Sequence, residues 1–223
     1  MLECFLAIDF DGTISEVDVT DAVLSKFAGA EWLEIEKRWS NGEIGSRQCL
    51  SEQIELIGAD LETVLKFVDT VRIDSEFARF VTFVRSVGLA HAIISDGFCV
   101  FIRRILANAG IIGVPVFANN LKEQSGKWKT FYVNSFPGCP AGTCKCAVVE
   151  RLRTNLPVVL IGDGRSDFCL ADKADFIFAK GKLSEYCKER NLPYLEYKDF
   201  SDVTQNLLQL TEKVLRQMKY NIG

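Results

Sequence analysis

Three short apolar runs in this chain end in the same way, and that repetition constrains the fold more than any other feature. Cys4 to Ile8 leads into Asp9-Phe10-Asp11-Gly12-Thr13, Leu89 to Ile94 into Ser95-Asp96-Gly97, and Pro157 to Ile161 into Gly162-Asp163-Gly164-Arg165-Ser166-Asp167. Apolar runs of this length bounded by turn residues read as buried strands. Val114 to Phe117, Phe176 to Ala179 and Tyr194 to Leu195 continue the series. Segments of helical period separate several of them, the pattern of parallel strands joined by crossover helices.

The expected fold is therefore α/β, a Rossmann-like parallel sheet. Open sheets of that kind bind ligands beyond the carboxyl ends of their strands, so Asp9, Ser95 and Asp163 are expected at one crevice. One gap breaks the rhythm. About eighty residues separate the first two runs, and Thr20 to Phe27, Trp32 to Trp39, Arg47 to Ile57 and Leu61 to Val71 all have helical character. Glu76 to Val87 already supplies the crossover helix, so residues 15–74 are expected as a helical cap inserted after the first strand, over a core of residues 1–14 and 75–223. Phe27, Trp32, Ile35, Trp39, Leu50, Ile54, Leu65 and Phe67 are expected to form the cap's own small core. An amphipathic helix from Phe200 to Met218 is expected to close the fold, with Asn221 to Gly223 frayed.

The 223 residues suit one domain with a sizeable insertion. The charge sum of −4 and a pI near 5.2 disfavour nucleic acid and anionic lipid as partners. No apolar run is long enough to span a membrane, and Met1-Leu2-Glu3-Cys4 has no secretory character, so the expected compartment is the cytoplasm. The eight cysteines are expected mostly as thiols. Cys139, Cys144 and Cys146 form a local cluster, read as a metal site, a redox bridge or ordinary thiols. The sole histidine, His91, is read as packing inside a strand. Oligomeric state is left open.

Asp9 and Asp163 brought together without a cation would repel. Oxygen ligands with no histidine favour Mg²⁺, which keeps waters and bridges to phosphate. A carboxylate nucleophile, a second carboxylate, a metal site and a hydroxyl for a phosphoryl oxygen together fit phosphoryl transfer through an aspartyl-phosphate. That chemistry wants a protein cation. Lys127, Lys129 and Lys145 are the candidates, and Lys145 leads because it opens the amphipathic segment just before the Asp163 strand.

Asp9-Phe10-Asp11-Gly12-Thr13, Ser95, a lysine, and Gly162-Asp163-Gly164-x-x-Asp167 in this order resemble the haloacid dehalogenase superfamily, over nearly the whole chain. The helical cap is similar to the phosphoserine-phosphatase branch. Cys139-Pro140-x-x-x-Cys144-Lys145 and Phe178-Ala179-Lys180-Gly181-Lys182-Leu183 resemble the methionine-salvage enol-phosphate phosphatases and their phosphocholine/phosphoethanolamine phosphatase relatives. The resemblance implies a Mg²⁺-dependent phosphomonoesterase acting on a small phosphorylated metabolite. Asp9 would be nucleophile and metal ligand. Asp11 would be acid and base, its backbone carbonyl on the metal. Thr13, Ser95, Asp96, Gly97 and Lys145 would surround the phosphate. Asp163 would complete the metal site, with Asp167 orienting it or Lys145 from behind. Asp96 departs from the glycine usual in the phosphoserine and methionine-salvage enzymes, and reads either as a sensor of a cationic head group or as a helix cap. Asp18 and Arg47 fall where related phosphatases carry substrate-selecting groups.

Two other classes stay open on sequence: a phosphotransferase or mutase using the same intermediate, and a binding module that retained the residues without the chemistry. A dehalogenase has no use for an acid at Asp11.

Overall fold

Strand β1 (Phe5–Ile8) is the first strand in the chain and lies in the interior of the sheet. The computed structural model describes residues 3–209, so most of the expected carboxyl-terminal helix and all of Asn221 to Gly223 lie outside the described residues. Parallel partners flank β1 on both sides: β2 (Ala90–Phe98), in the register Phe5↔Ala90, and β5 (Val158–Gly162), in the register Phe5↔Val158. Beyond β5 follow β6 (Phe176–Ala179) and β7 (Tyr194–Glu196), both parallel. Beyond β2 come β3 (Val116–Gln124), parallel, and β4 (Lys127–Phe131), antiparallel, completing the order β4-β3-β2-β1-β5-β6-β7.

Alternation along β1 sorts its side chains onto two faces. Leu6 and Ile8 join a core with Phe77, Phe80, Phe98 and Phe101, while Phe5 and Ala7 join a second with Val148, Leu160, Ile177 and Leu183. Helices α5 (Phe77–Ser86) and α6 (Cys99–Asn108) serve the first core, and α7 (Lys145–Leu152), α8 (Phe168–Ala171) and α9 (Gly181–Glu189) the second. Phe200, in the helical residues 200–209, packs edge-on to Phe77 with ring centroids 4.8 Å apart.

Between β1 and α5 stand four helices: α1 (Val19–Phe27), α2 (Trp32–Ser40), α3 (Ser46–Ile54) and α4 (Leu61–Val68). An antiparallel bridge between Ser15 and Ile73 joins the two ends of this segment. Asp18 and Asp60 cap α1 and α4, accepting from the N–H groups of Asp21 and Thr63. The expectation of a private core for this segment is corrected. Val23, Leu24, Trp32, Ile54, Val64 and Val68 are continuous with the first core of the sheet, because α1 and α4 lie directly on it. Leu50 packs against that core and also lines a cavity, whereas Trp39, expected inside the cap's core, lines the cavity alone.

The β3–β4 hairpin was absent from the sequence reading. Its two-residue turn, Ser125-Gly126, has positive φ at both positions (55° and 75°), the geometry that matches the twist of paired strands. Lys127 and Lys129 lie exposed on β4 and are thereby removed as candidates for the site.

Candidate active site

The order of the sheet reverses at β1, and the two strands that diverge there, β1 and β5, carry Asp9 and Asp163 at their ends. The Asp9 N–H continues the ladder by donating to the Ile161 carbonyl at 2.9 Å, and the chain then turns sharply away. Gly12 sits at φ +68°, and a side chain there would run into the Asp163 carboxylate. Glycine thus lets the two loops close on each other. Thr13, fully buried, donates its hydroxyl to Asp163 Oδ1 at 3.0 Å.

Lys145 opens α7 beneath this crevice, 5% exposed. Its Nζ lies 2.8 Å from Asp9 Oδ1, 2.6 Å from Asp167 Oδ1 and 3.1 Å from Ser166 Oγ. Burial works to lower the lysine's pKa, but Asp167 and Asp9 outweigh it and hold the ammonium charged. The second oxygen of Asp167 accepts from the N–H groups of Asp163 and Gly164, each at 3.3 Å. Asp167 thus positions both the lysine and the loop.

Asp9, Asp163 and Asp167 each offer a carboxylate oxygen within 4.8 Å of the other two, the one such group able to hold a metal among the described residues. When all three are ionised, their charge exceeds that of the one ammonium in direct contact with them, with Lys180 acting on Asp163 from further off. Burial raises the pKa of Asp9 well above the usual range, with Asp167 and Asp163 adding to it against Lys145. Asp163 is pushed up to about 6, by burial and then by Asp167. That imbalance, in a set of hard oxygen donors, fits a divalent cation. Asp11 points its carboxylate elsewhere, accepting from the Val19 N–H at 2.9 Å and the Ser95 hydroxyl at 3.1 Å. Burial and the nearby Asp18 push it to about 7.

Ser95 is buried at the β2 end and also accepts from the Gly97 N–H at 2.8 Å. Gly97 in turn has no room for a side chain against Asp11 and Ser95. The helix-cap reading of Asp96 does not describe its contacts. Phe98 occupies the cap position of α6 without a side-chain bond, whereas Asp96 Oδ1 accepts from the Thr143 N–H at 2.7 Å and from Asn119 at 3.2 Å. Its other oxygen accepts from the Ser46 hydroxyl at the start of α3. Asp96 thus ties the inserted helices to the sheet while one side of it faces the cavity.

That cavity lies between the strand ends and α1–α3. Asp9, Asp11, Asp96, Gly97 and Asp163 line its floor, and Asp18 its wall. Arg47 is not part of it, a correction to the sequence reading. Its guanidinium turns the other way, donating to the carbonyls of Cys139 (2.9 Å) and Ala141 (3.0 Å). Sequence reasoning passed over Asp21, Glu36 and Trp39 on the wall and Arg165 at the rim. Arg165 donates to the Ser40 carbonyl at 3.1 Å and lies over the Trp39 ring at 5.9 Å, so it crosses from the β5 loop to α2. No local pattern marks these residues, whose meeting depends on how the inserted helices dock. Cys139, Cys144 and Cys146 are free thiols and do not converge on a metal site.

Residues 4–207 match the model of the family described as Putative Phosphatase. The chain belongs to that family. It is a phosphatase with the haloacid dehalogenase fold. Among similar proteins are two named 2-hydroxy-3-keto-5-methylthiopentenyl-1-phosphate phosphatase. The one from Brevibacillus brevis is 29% identical, over 94% of this chain and 97% of its own, and that from Bacillus thuringiensis 30% identical, over 92% and 95%. A phosphoserine phosphatase in a substrate-bound complex superposes with a TM-score of 0.65 at 20% identity, covering 92% of this chain and 98% of that one, and shares the fold. No helix among the described residues is long and apolar enough to cross a membrane.

Proposed function

We propose that this phosphatase hydrolyses a small phosphorylated metabolite through an aspartyl-phosphate on Asp9, with Mg²⁺ held by Asp9, Asp163 and the backbone carbonyl of Asp11. The observation that carries this reading is the division of labour between two carboxylates two residues apart. Asp9 lies against the Lys145 ammonium among the convergent carboxylates, while Asp11 turns to Ser95 and Val19 with its pKa at about 7. A bound cation would offset the buried negative charge and draw the phosphoryl group to the strand ends. Asp9 then attacks phosphorus. Asp11, whose pKa burial raises toward neutrality, gives a proton to the departing oxygen and takes one back from the water that frees Asp9. Ser95, the Gly97 N–H and Lys145 meet the charge that grows on the phosphoryl oxygens.

The names of the relatives favour an enol phosphate carrying a methylthio group as substrate. Trp39, Cys49 and Leu50 on the cavity wall offer an apolar, sulfur-tolerant side for such a tail. A second reading, a phosphorylated cation such as phosphocholine or phosphoethanolamine, is favoured by Asp18, Asp21 and Glu36 on the same wall. Burial, Asp18 and Glu36 push Asp21 to about 8, an environment that a cationic head group would relieve.

Phosphate release with Mg²⁺ tests both, with a methylthio enol phosphate, phosphocholine, phosphoethanolamine and phosphoserine offered to wild type and Asp9→Asn. The expected result is release on one of the first three that disappears in the variant. Equal release by Asp9→Asn would overturn the mechanism, and preference for phosphoserine would overturn both substrate readings.

A further inference from the structure

Two cysteines outside the cavity stand beside its buried ion pair. Cys146 is the second residue of α7, directly after Lys145, and Cys169 is the second residue of α8, two positions after Asp167. Their sulfurs lie 3.3 Å apart, and both are free thiols. Cys169 is exposed and Cys146 half-buried, so solvent reaches the pair. The surroundings hold it in place from both sides: the Lys145–Asp167 contact at 2.6 Å fixes the start of each segment, and Phe168 stacks on Tyr186 with ring centroids 3.9 Å apart and planes 9° from parallel.

We propose that Cys146 and Cys169 form a reversible disulfide when the protein meets a peroxide, a modification that clips α7 to α8. Bond formation needs the sulfurs to approach from 3.3 Å to about 2.05 Å, a change within reach of side-chain rotation and a small backbone adjustment. The exposed Cys169 sulfur attacks one peroxide oxygen, breaking the O–O bond to give a sulfenic acid and one water. The Cys146 sulfur then attacks the Cys169 sulfur and displaces the hydroxyl as a second water. Two thiols lose two electrons and two protons, and the peroxide is reduced to water. A dithiol reductant reverses the step by exchange. Cys144, the other cysteine close to Cys146, is turned toward Cys139, which leaves Cys169 as the sulfur in contact with Cys146.

The test treats the reduced protein with hydrogen peroxide, alkylates the remaining thiols and maps the peptides without reduction. Alkylation is expected to fall from eight cysteines to six, with a linked peptide containing Cys146 and Cys169, and dithiothreitol should restore all eight. The thermal midpoint of the oxidised protein should rise by several degrees, as expected for cross-linking a loop of this length, and the rise should be absent in Cys169→Ser and, as a second variant, Cys146→Ala. Over-oxidation of Cys169 without a bridge, a dimer joined through Cys169, or a bridge between Cys139 and Cys144 with this pair still alkylated would each overturn the proposal. The readout is independent of phosphatase activity.

Discussion

Lys145 and Asp167 form the most buried ion pair among the described residues, 2.6 Å apart and 4% and 0% exposed, and Asp9 reaches the same ammonium from the other side. One positive charge thus serves two carboxylates. The pair joins α7 to the β5 loop and sets the orientation of the carboxylate proposed to attack phosphorus.

Lys145→Met should therefore cost stability as well as turnover. Removing one partner of a buried pair leaves its carboxylates uncompensated, a loss of about 3–5 kcal/mol. Denaturant unfolding should show that loss in the metal-free protein, and Mg²⁺ should recover part of it by replacing the missing charge. Unchanged unfolding would contradict the pairing described here.

Asp96 separates a structural from a selective role. Asp96→Ala strands the Thr143 N–H and the Ser46 hydroxyl, and each group left unpaired in a buried setting costs about 1–3 kcal/mol. The expected outcome is lower stability together with a rise in KM shared by all substrates, because the inserted helices lose a tie to the sheet. A KM increase confined to cationic substrates, with stability intact, would instead assign Asp96 to head-group recognition.

Removal of metal should act on the fold. Chelation should abolish phosphate release and lower the thermal midpoint, since a cation that binds only the folded state stabilises it by mass action. Mg²⁺ should restore both. Asp163→Asn should make the midpoint insensitive to Mg²⁺, which calorimetric scans with and without the ion would measure.

On the opposite side of the first core, Asp69 accepts from Arg104 at 2.6 Å and from Asn108 at 2.6 Å, joining α4 to α6. These bonds lower its pKa to about 2. A carboxylate lowered in the folded state contributes stability above its ordinary value near 4, and that contribution disappears as pH falls through about 2. The thermal midpoint of Asp69→Asn should lie below wild type at pH 7 and converge on it toward pH 2. A gap that persists undiminished at acid pH would argue against the ion pair.

The strand ends were legible in the sequence because an apolar run followed by aspartate and glycine has few other meanings. Asp9, Ser95 and Asp163 followed from that pattern, and the parallel order from the helical spacing between runs. The β3–β4 hairpin was not legible, since Asn119-Asn120-Leu121-Lys122-Glu123-Gln124 is polar and of low strand propensity, and its pairing is decided by the Ser125-Gly126 turn. Nor was the fate of Arg47, whose carbonyl partners lie more than ninety residues away. Nor were the ties that Asp96 makes, because its partners Ser46, Asn119 and Thr143 come from three distant segments. Local pattern reveals what a strand end offers, while docking of the inserted helices decides which charges meet.

The position of β1 also bears on how the protein comes to exist. Phe5–Ile8 is made well before its neighbours in the sheet, Ala90–Ile93 and Val158–Ile161, and pairing across such separations is slow. Asp9 thus waits through the synthesis of most of the chain before Lys145, Asp163 and Asp167 exist to surround it. A nascent fragment that ends before residue 145 lacks Lys145, Asp163 and Asp167, so on the proposed mechanism turnover is expected only after those residues have emerged.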